Sequence, residues 1–190
     1  MKKTTKLDLY VQFKSEYLTP KSPALIEVSP AQYLAISGRG EPGGAVFQKK
    51  LGALYNVAFT IKMAKKFAGQ DYAVSKLEGL WPSLTEWTLI IRTPDFIGSK
   101  ELKEVIQKLR DKGKDPEVAE VEIQKLKEGR CVQMLHVGPY DQETATVEAM
   151  RQFAAAQGLA FRGLHHEIYL SDPRRVAPQK LRTILRNPVA

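Results

Sequence analysis

The stretch His165-His166-Glu167-Ile168-Tyr169-Leu170-Ser171-Asp172-Pro173 decides how the rest of the chain is read. Apolar and aromatic residues alternate with polar ones, and Ser-Asp-Pro closes the run, as in a short strand ending in a turn. Successive side chains of a strand point to opposite faces. Ile168 and Leu170 therefore share one face with His166, while His165, Glu167 and Tyr169 share the other. The first face requires a core. The second sets a carboxylate between an imidazole and a phenol. In a concave, partly dry setting that carboxylate is a candidate general base or cation-binding anion. A solvated sheet face fits the same alternation, so the surroundings must decide.

The 190 residues allow one large domain or two small ones, and 43% hydrophobic with 26% charged residues is enough to form a core without cross-links. A net charge of +8 raises the question of an acidic partner. From Ile97 to Arg130, however, basic and acidic residues interleave as on solvated helix faces. Only the C-terminal set Arg174, Arg175, Lys180, Arg182 and Arg186 is locally basic, and no helix-turn-helix, zinc-finger or RRM motif accompanies it. Nucleic acid is not the expected partner. The single cysteine, Cys131, excludes an internal disulfide, fits a cytoplasmic location and reads as a packing residue inside a strand. Met1-Lys2-Lys3 is not followed by an apolar segment, and no apolar run reaches membrane-spanning length, so neither secretion nor a membrane is expected.

Working outward, Leu25–Val28 and Gln32–Ser37 read as two strands joined at Ser29-Pro30. A long amphipathic helix, about Ala45 to Phe67, carries Phe47, Leu51, Leu54, Ala58 and Ile61 as its stripe. Trp81 sits between Gly79 and Pro82 in an irregular stretch. Glu86–Arg92 is a strand on which Trp87 alternates with polar residues, as either core or ligand wall. Ser99 can cap a helix through Leu109. Val121–Leu126 and Arg130–Val137 read as a hairpin turning at Lys127-Glu128-Gly129. Asp141 caps a second long helix to about Gln157, and Pro178 starts a short terminal helix.

The element order repeats. Two strands, a long helix, then a strand with a Glu near an aromatic and a Pro run from Leu25 to Pro82, and again from Val121 to Pro173. Glu78, Trp81 and Pro82 stand roughly where Glu167, Tyr169 and Pro173 stand in the second copy. Two such units meeting about a pseudo-two-fold axis would leave a hollow lined by the Glu-bearing strands, a usual place for a ligand. Metal is not expected there, because His165 and His166 point to opposite faces and His165 with Glu167 makes only two ligands.

The stretches Leu54-Tyr55, Asp71-Tyr72-Ala73-Val74, Leu77-Glu78-Gly79-Leu80-Trp81, Ile91-Arg92-Thr93-Pro94-Asp95-Phe96, Glu128-Gly129-Arg130-Cys131-Val132-Gln133, His136-Val137-Gly138-Pro139-Tyr140 and His166 to Pro173 resemble the GyrI-like small-molecule-binding proteins, stand-alone relatives of AraC-type effector-binding domains. The resemblance implies a single α+β domain over 1–190. It implies tandem β-α-β-β (SHS2-like) modules at about 24–95 and 118–173, an antiparallel sheet forming a U-shaped groove with helices outside, and a helix at about 178–187. It implies a bulky aromatic or cationic ligand, no cofactor, and a monomer or weak homodimer. One branch is similar to cyclopropanoid hydrolases, which open the cyclopropane of DNA-alkylating compounds with water. On that model Glu167 is the base and Tyr140 or Tyr169 the hydrogen-bond donor. Tyr33, Tyr55, Glu78, Trp81, Trp87 and His165 are the expected ligand contacts. A binder without chemistry is the other reading. Pro82 in place of a second Trp, and Lys76 in place of Pro, are departures at the first-module wall.

Overall fold

Alternating apolar residues build the strands, and three- and four-residue spacings build the helices. The computed structural model describes residues 6–190; Met1-Lys2-Lys3 lies outside them. In chain order the elements are α1 (Leu9–Gln12), β1 (Ala24–Val28), β2 (Ala31–Arg39), α2 (Ala45–Phe67), β3 (Leu77–Trp81) and β4 (Glu86–Arg92). There follow α3 (Ser99–Asp111), β5 (Glu122–Leu126), β6 (Gly129–Val137), α4 (Thr144–Ala156), β7 (His165–Tyr169) and β8 (Arg182–Pro188). The class is α+β, with antiparallel strand pairing, as expected. Among the described residues no helix is long and apolar enough to cross a membrane.

The chain divides into two compact units, each assembled from separated stretches. The first takes the N-terminal piece up to Phe13, then Ala31–Ser75 and Ser83–Leu126. Here β2 is central, pairing with β4 on one side and β5 on the other. Tyr33, Leu34, Ala35 and Ile36 are buried in succession, so both faces of β2 are covered. The α2 helix packs on this sheet through Ala53, Leu54, Val57, Ala58 and Ile61. Directly across from Gly38, Trp87 lies flat over the glycine, its indole N–H donating to the Gly40 carbonyl at 3.2 Å and its ring meeting Phe47 edge-on at 4.8 Å. Only a residue without a Cβ fits beneath it: a Cβ on Gly38 would stand 2.2 Å from the indole.

The second unit takes Lys14–Pro30, Lys76–Pro82 and Lys127–Ala190. Its strands run in the order β1-β6-β8-β7-β3. Val132, Leu185 and Val189 form a core with Met150 and Ala154 of α4. Cross-strand register assigns the faces. Val132 and Asn187 are partners, as are Met134 and Leu185, and Leu185 and Glu167. Glu167 therefore stands on the face that α4 covers.

The following expectations are corrected. The pair β5–β6 is not a hairpin: β5 pairs with β2, and β6 pairs with β1. The units are consequently not the contiguous stretches 24–95 and 118–173. The C-terminal segment is not a helix over 178–187. A single 3-10 turn at Pro178–Lys180 leads into β8, which fills the slot between β6 and β7 and buries Ile184 and Leu185 on opposite faces. Leu77–Trp81 is a regular strand rather than an irregular stretch, held by β7. Finally, α3 is capped from Gly98, whose N–H donates to Glu101 at 2.9 Å, and α4 begins at Thr144 after a 3-10 turn at Tyr140–Gln142, not at Asp141.

Candidate functional site

Strand β7 separates two polar clusters, one on each face, both within the second unit. His166 and Ile168 point away from α4 and are fully buried. The His166 imidazole is clamped between two carboxylates, Nδ1 to Glu128 Oε1 at 2.9 Å and Nε2 to Glu78 Oε2 at 2.8 Å. Glu128 also accepts from Arg186 Nη1 at 3.0 Å, Arg186 Nε donates to Gln133 at 2.8 Å, and Tyr17 Oη donates to Glu78 at 3.2 Å. Arg186 reaches the Glu16 carbonyl as well. Burial works against the charged forms, but the ion pairs win. Glu128 is held down at about 2 by His166 and Arg186, and His166 is raised to about 9 by Glu128 and Glu78. Every side chain of this ionic network is buried.

The α4 face carries the open chemistry. Trp81 is the cross-strand partner of His165, and Gly79 is the partner of Glu167. The missing side chain at Gly79 leaves room above it: a Cβ there would lie 2.7 Å from Tyr169 Oη and 2.9 Å from Trp81 Nε1. His165 Nδ1 hydrogen-bonds Asn187 Oδ1 at 3.0 Å, which fixes the proton on Nδ1 and turns Nε2 toward the acids. Glu167 Oε1 stands 3.5 Å from Nε2. Glu143, at the N-terminal edge of α4, brings Oε2 to within 3.9 Å of the same nitrogen. Glu167 is 9% exposed and Glu143 7%, so both carboxyls are largely out of water. Tyr169 hydrogen-bonds Glu167, and Tyr140, 38% exposed, meets the Tyr169 ring edge-on at 5.7 Å.

The electrostatics follow from this crowding. Burial pushes Glu143 up to about 7, with His165 pulling down and the Glu167 charge pushing further up. His165 is raised to about 10: burial opposes its charge, but the Glu143, Glu167 and Asn187 oxygens that face its N–H groups stabilise the protonated ring and outweigh it. Burial, then the Glu167 charge, raises both Tyr140 and Tyr169, so both phenols remain hydrogen-bond donors near neutrality. One nitrogen of His165 and one carboxyl oxygen each of Glu143 and Glu167 lie within 4.8 Å of one another, a spacing that also suits a cation. Both carboxyls face the same imidazole nitrogen, at 3.5 and 3.9 Å, so the three titrations depend on one another.

The structure therefore brings together Glu167, His165, Tyr169, Tyr140 and Trp81 from the expected set. It commits Glu78 to the buried network, where its carboxylate is fully enclosed. It commits Trp87 and Tyr33 to the core of the first unit. Tyr55 lies half-buried on α2, stacked on Phe59 at 6.0 Å. His136, on β6, is taken up by Thr146 and the Pro139 carbonyl. Sequence reasoning missed Glu143 and Glu128, the first read as an ordinary position in a helix and the second as part of a turn.

The chain belongs to the GyrI-like small molecule binding domain family, whose model matches residues 21–190. It is similar to a hydrolase from Listeria innocua, 38% identical over 97% of this chain and 100% of that one, with a TM-score of 0.90. It is equally similar to an uncharacterized conserved protein of the same organism, 38% identical over 97% of this chain and 100% of that one, at TM-score 0.91. The EcmrR C-terminal domain, 13% identical over 89% of this chain and 97% of that one, shares the fold at TM-score 0.61. No curated protein matches the sequence.

Proposed function

We propose that this small-molecule-binding chain is a hydrolase that adds water to the cyclopropane of DNA-alkylating cyclopropanoid compounds, with Glu167 as the base. The observation that carries the reading is the seat of Glu167: a buried carboxylate, hydrogen-bonded by Tyr169, beside an imidazole and facing aromatic rings. Trp81 and Tyr140 are the walls for a flat conjugated body. Glu167 takes a proton from water as the water oxygen bonds to the ring methylene carbon. The ring C–C bond breaks, and its electron pair moves through the conjugated system onto the carbonyl oxygen. Tyr140 is the donor to that oxygen in this reading; its side chain is the more exposed of the two, while Tyr169 is engaged with Glu167. The 38% identity to a Listeria innocua hydrolase supports an enzyme.

Replacing Glu167 by Gln keeps shape and removes the base. The expected result is a loss of about a hundredfold or more in ring-opening rate with ligand binding retained. Unchanged turnover in that variant would remove Glu167 from the mechanism. A second reading, capture of aromatic cations without turnover, is favoured by the same two carboxylates beside the Tyr140–Tyr169 pair, which offer charge and ring faces to a cation. Stoichiometric binding of intact compound, with no product, distinguishes it.

A further inference from the structure

Glu143 is the one acidic group of the site with no assigned work. It comes from the start of α4, far in sequence from β7, yet its Oε2 and Glu167 Oε1 face the same ring nitrogen, at 3.9 and 3.5 Å. Asn187 occupies Nδ1 of that ring, so Nε2 is the single nitrogen for which the two carboxyls compete. The other oxygen of Glu143, Oε1, is buried with no hydrogen-bond partner, although the residue is only 7% exposed. An anion with a bare buried oxygen is costly, whereas a carboxylic acid there is tolerated. A buried oxygen without a partner, turned into a site where protons must move, points to a group that gains and loses one.

We propose that Glu143 and Glu167 form a shared-proton pair around His165, in which Glu143 takes up the proton that Glu167 removes from the attacking water. Its use in turnover rests on the hydrolase reading; its existence does not. As the C–O bond forms and the ring C–C bond breaks, the water proton sits on Glu167. The Glu167 acid returns to carboxylate by passing that proton to the Glu143 carboxylate, and Glu143 releases it to solvent. The oxygen of the opened product takes a proton from solvent in exchange, so the sum is one water added. Glu143 is thus a positioning and proton-holding residue acting through Glu167. The charged and titratable groups facing it are His165 and Glu167, with Tyr169 on the same strand and Tyr140 on the turn before α4. Burial sets Glu143 at about 7, in the range where it can both accept and release a proton.

The test is an infrared titration of the ligand-free protein, following the protonated-carboxyl band. A band titrating near neutral pH is expected in wild type and in Glu143→Asp, and is expected to be absent from Glu143→Gln. In Glu167→Gln the neighbouring negative charge is gone, so the Glu143 midpoint should fall by on the order of one pH unit. The same midpoint in Glu167→Gln as in wild type overturns the pair, as does a neutral-range band that survives in Glu143→Gln. Should Glu143→Gln fail to fold, the Glu167→Gln midpoint still decides. No substrate is present, so a protein that hydrolyses nothing can pass this test. A true hydrolase that fails it loses the pair and keeps its activity.

Discussion

Glu128→Gln changes one atom type and removes one negative charge from a site where two donors converge on the carboxylate. The wild-type carboxylate accepts from His166 Nδ1 at 2.9 Å and from Arg186 Nη1 at 3.0 Å, and all three side chains are buried. The amide keeps one acceptor and turns an N–H₂ toward donors that have no lone pair to offer. His166 is left with Glu78 alone, and Arg186 with Gln133 and a backbone carbonyl. Removing one partner of a buried ion pair costs about 3–5 kcal/mol. Against a typical total of roughly 5–15 kcal/mol, that is a large fraction. Urea unfolding at pH 5.5 should show the midpoint falling by roughly 1–2 M. The pH dependence has a defined shape. The Glu128 carboxyl lies at about 2, down from 4.5, so its share is present in full above 4.5 and fades as pH falls through about 2. The His166 imidazole lies at about 9, up from 6.5, so its share is complete below 6.5 and is lost as pH rises through about 9. The gap between wild type and variant is therefore widest from pH 4.5 to 6.5 and narrows on both sides. Glu86→Gln, which breaks an exposed pair with Arg39, is the control, expected below about 1 kcal/mol. A Glu128→Gln cost no larger than that control, or a gap that ignores pH, would refute the reading of Glu128, His166 and Arg186 as a mutually stabilising buried ionic network.

Gly79→Ala places a Cβ 2.7 Å from Tyr169 Oη, so the phenol must leave Glu167; ligand affinity and turnover should fall at least tenfold, with a stability cost of about 1–3 kcal/mol, read by titration and thermal melting. Gly38→Ala drives a Cβ into the Trp87 ring in the first unit, and should cost about 1–3 kcal/mol or more in denaturation while the folded fraction still binds ligand with wild-type affinity.

What the residues disclosed locally, they disclosed well. The face assignment on β7 holds: His166 and Ile168 are buried, and Glu167 shares its side with His165. The helix over Ala45–Phe67 and the inward set of α4 follow from spacing alone. Pairing was not legible. Lys127-Glu128-Gly129 looks like a hairpin turn, and Ser29-Pro30 like a simple join, because each links two strand-like runs, but which edge a strand joins depends on distant open edges, not on its own sequence. That is why β1 joins β6 and β5 joins β2. The same limit hid β8. Ile184 and Leu185, read as part of a short helix from Pro178, lie in a strand only because a slot is open between β6 and β7.

The site was half legible for the same reason. Residues two apart on one strand could be grouped, so His165, Glu167 and Tyr169 emerged. Glu143 is twenty-odd positions upstream on a helix whose polar residues all look solvated, and nothing local marks the one that turns inward. Glu78 was expected at the ligand as the counterpart of Glu167 in the first repeat; its partner, His166, comes from the adjacent strand and holds it on the other face. Trp87 was ambiguous by pattern, and Gly38 beneath it settles it as core.

The central claim is that a buried carboxylate at position 167 activates water against a strained ring. Incubation of the protein with a cyclopropane-bearing alkylator in isotopically labelled water, followed by mass analysis, measures this directly. The account predicts many equivalents of ring-opened product per protein, each carrying one labelled oxygen, and little product from Glu167→Gln. Recovery of only intact alkylator, bound one to one, or equal product from the Gln variant, would contradict it.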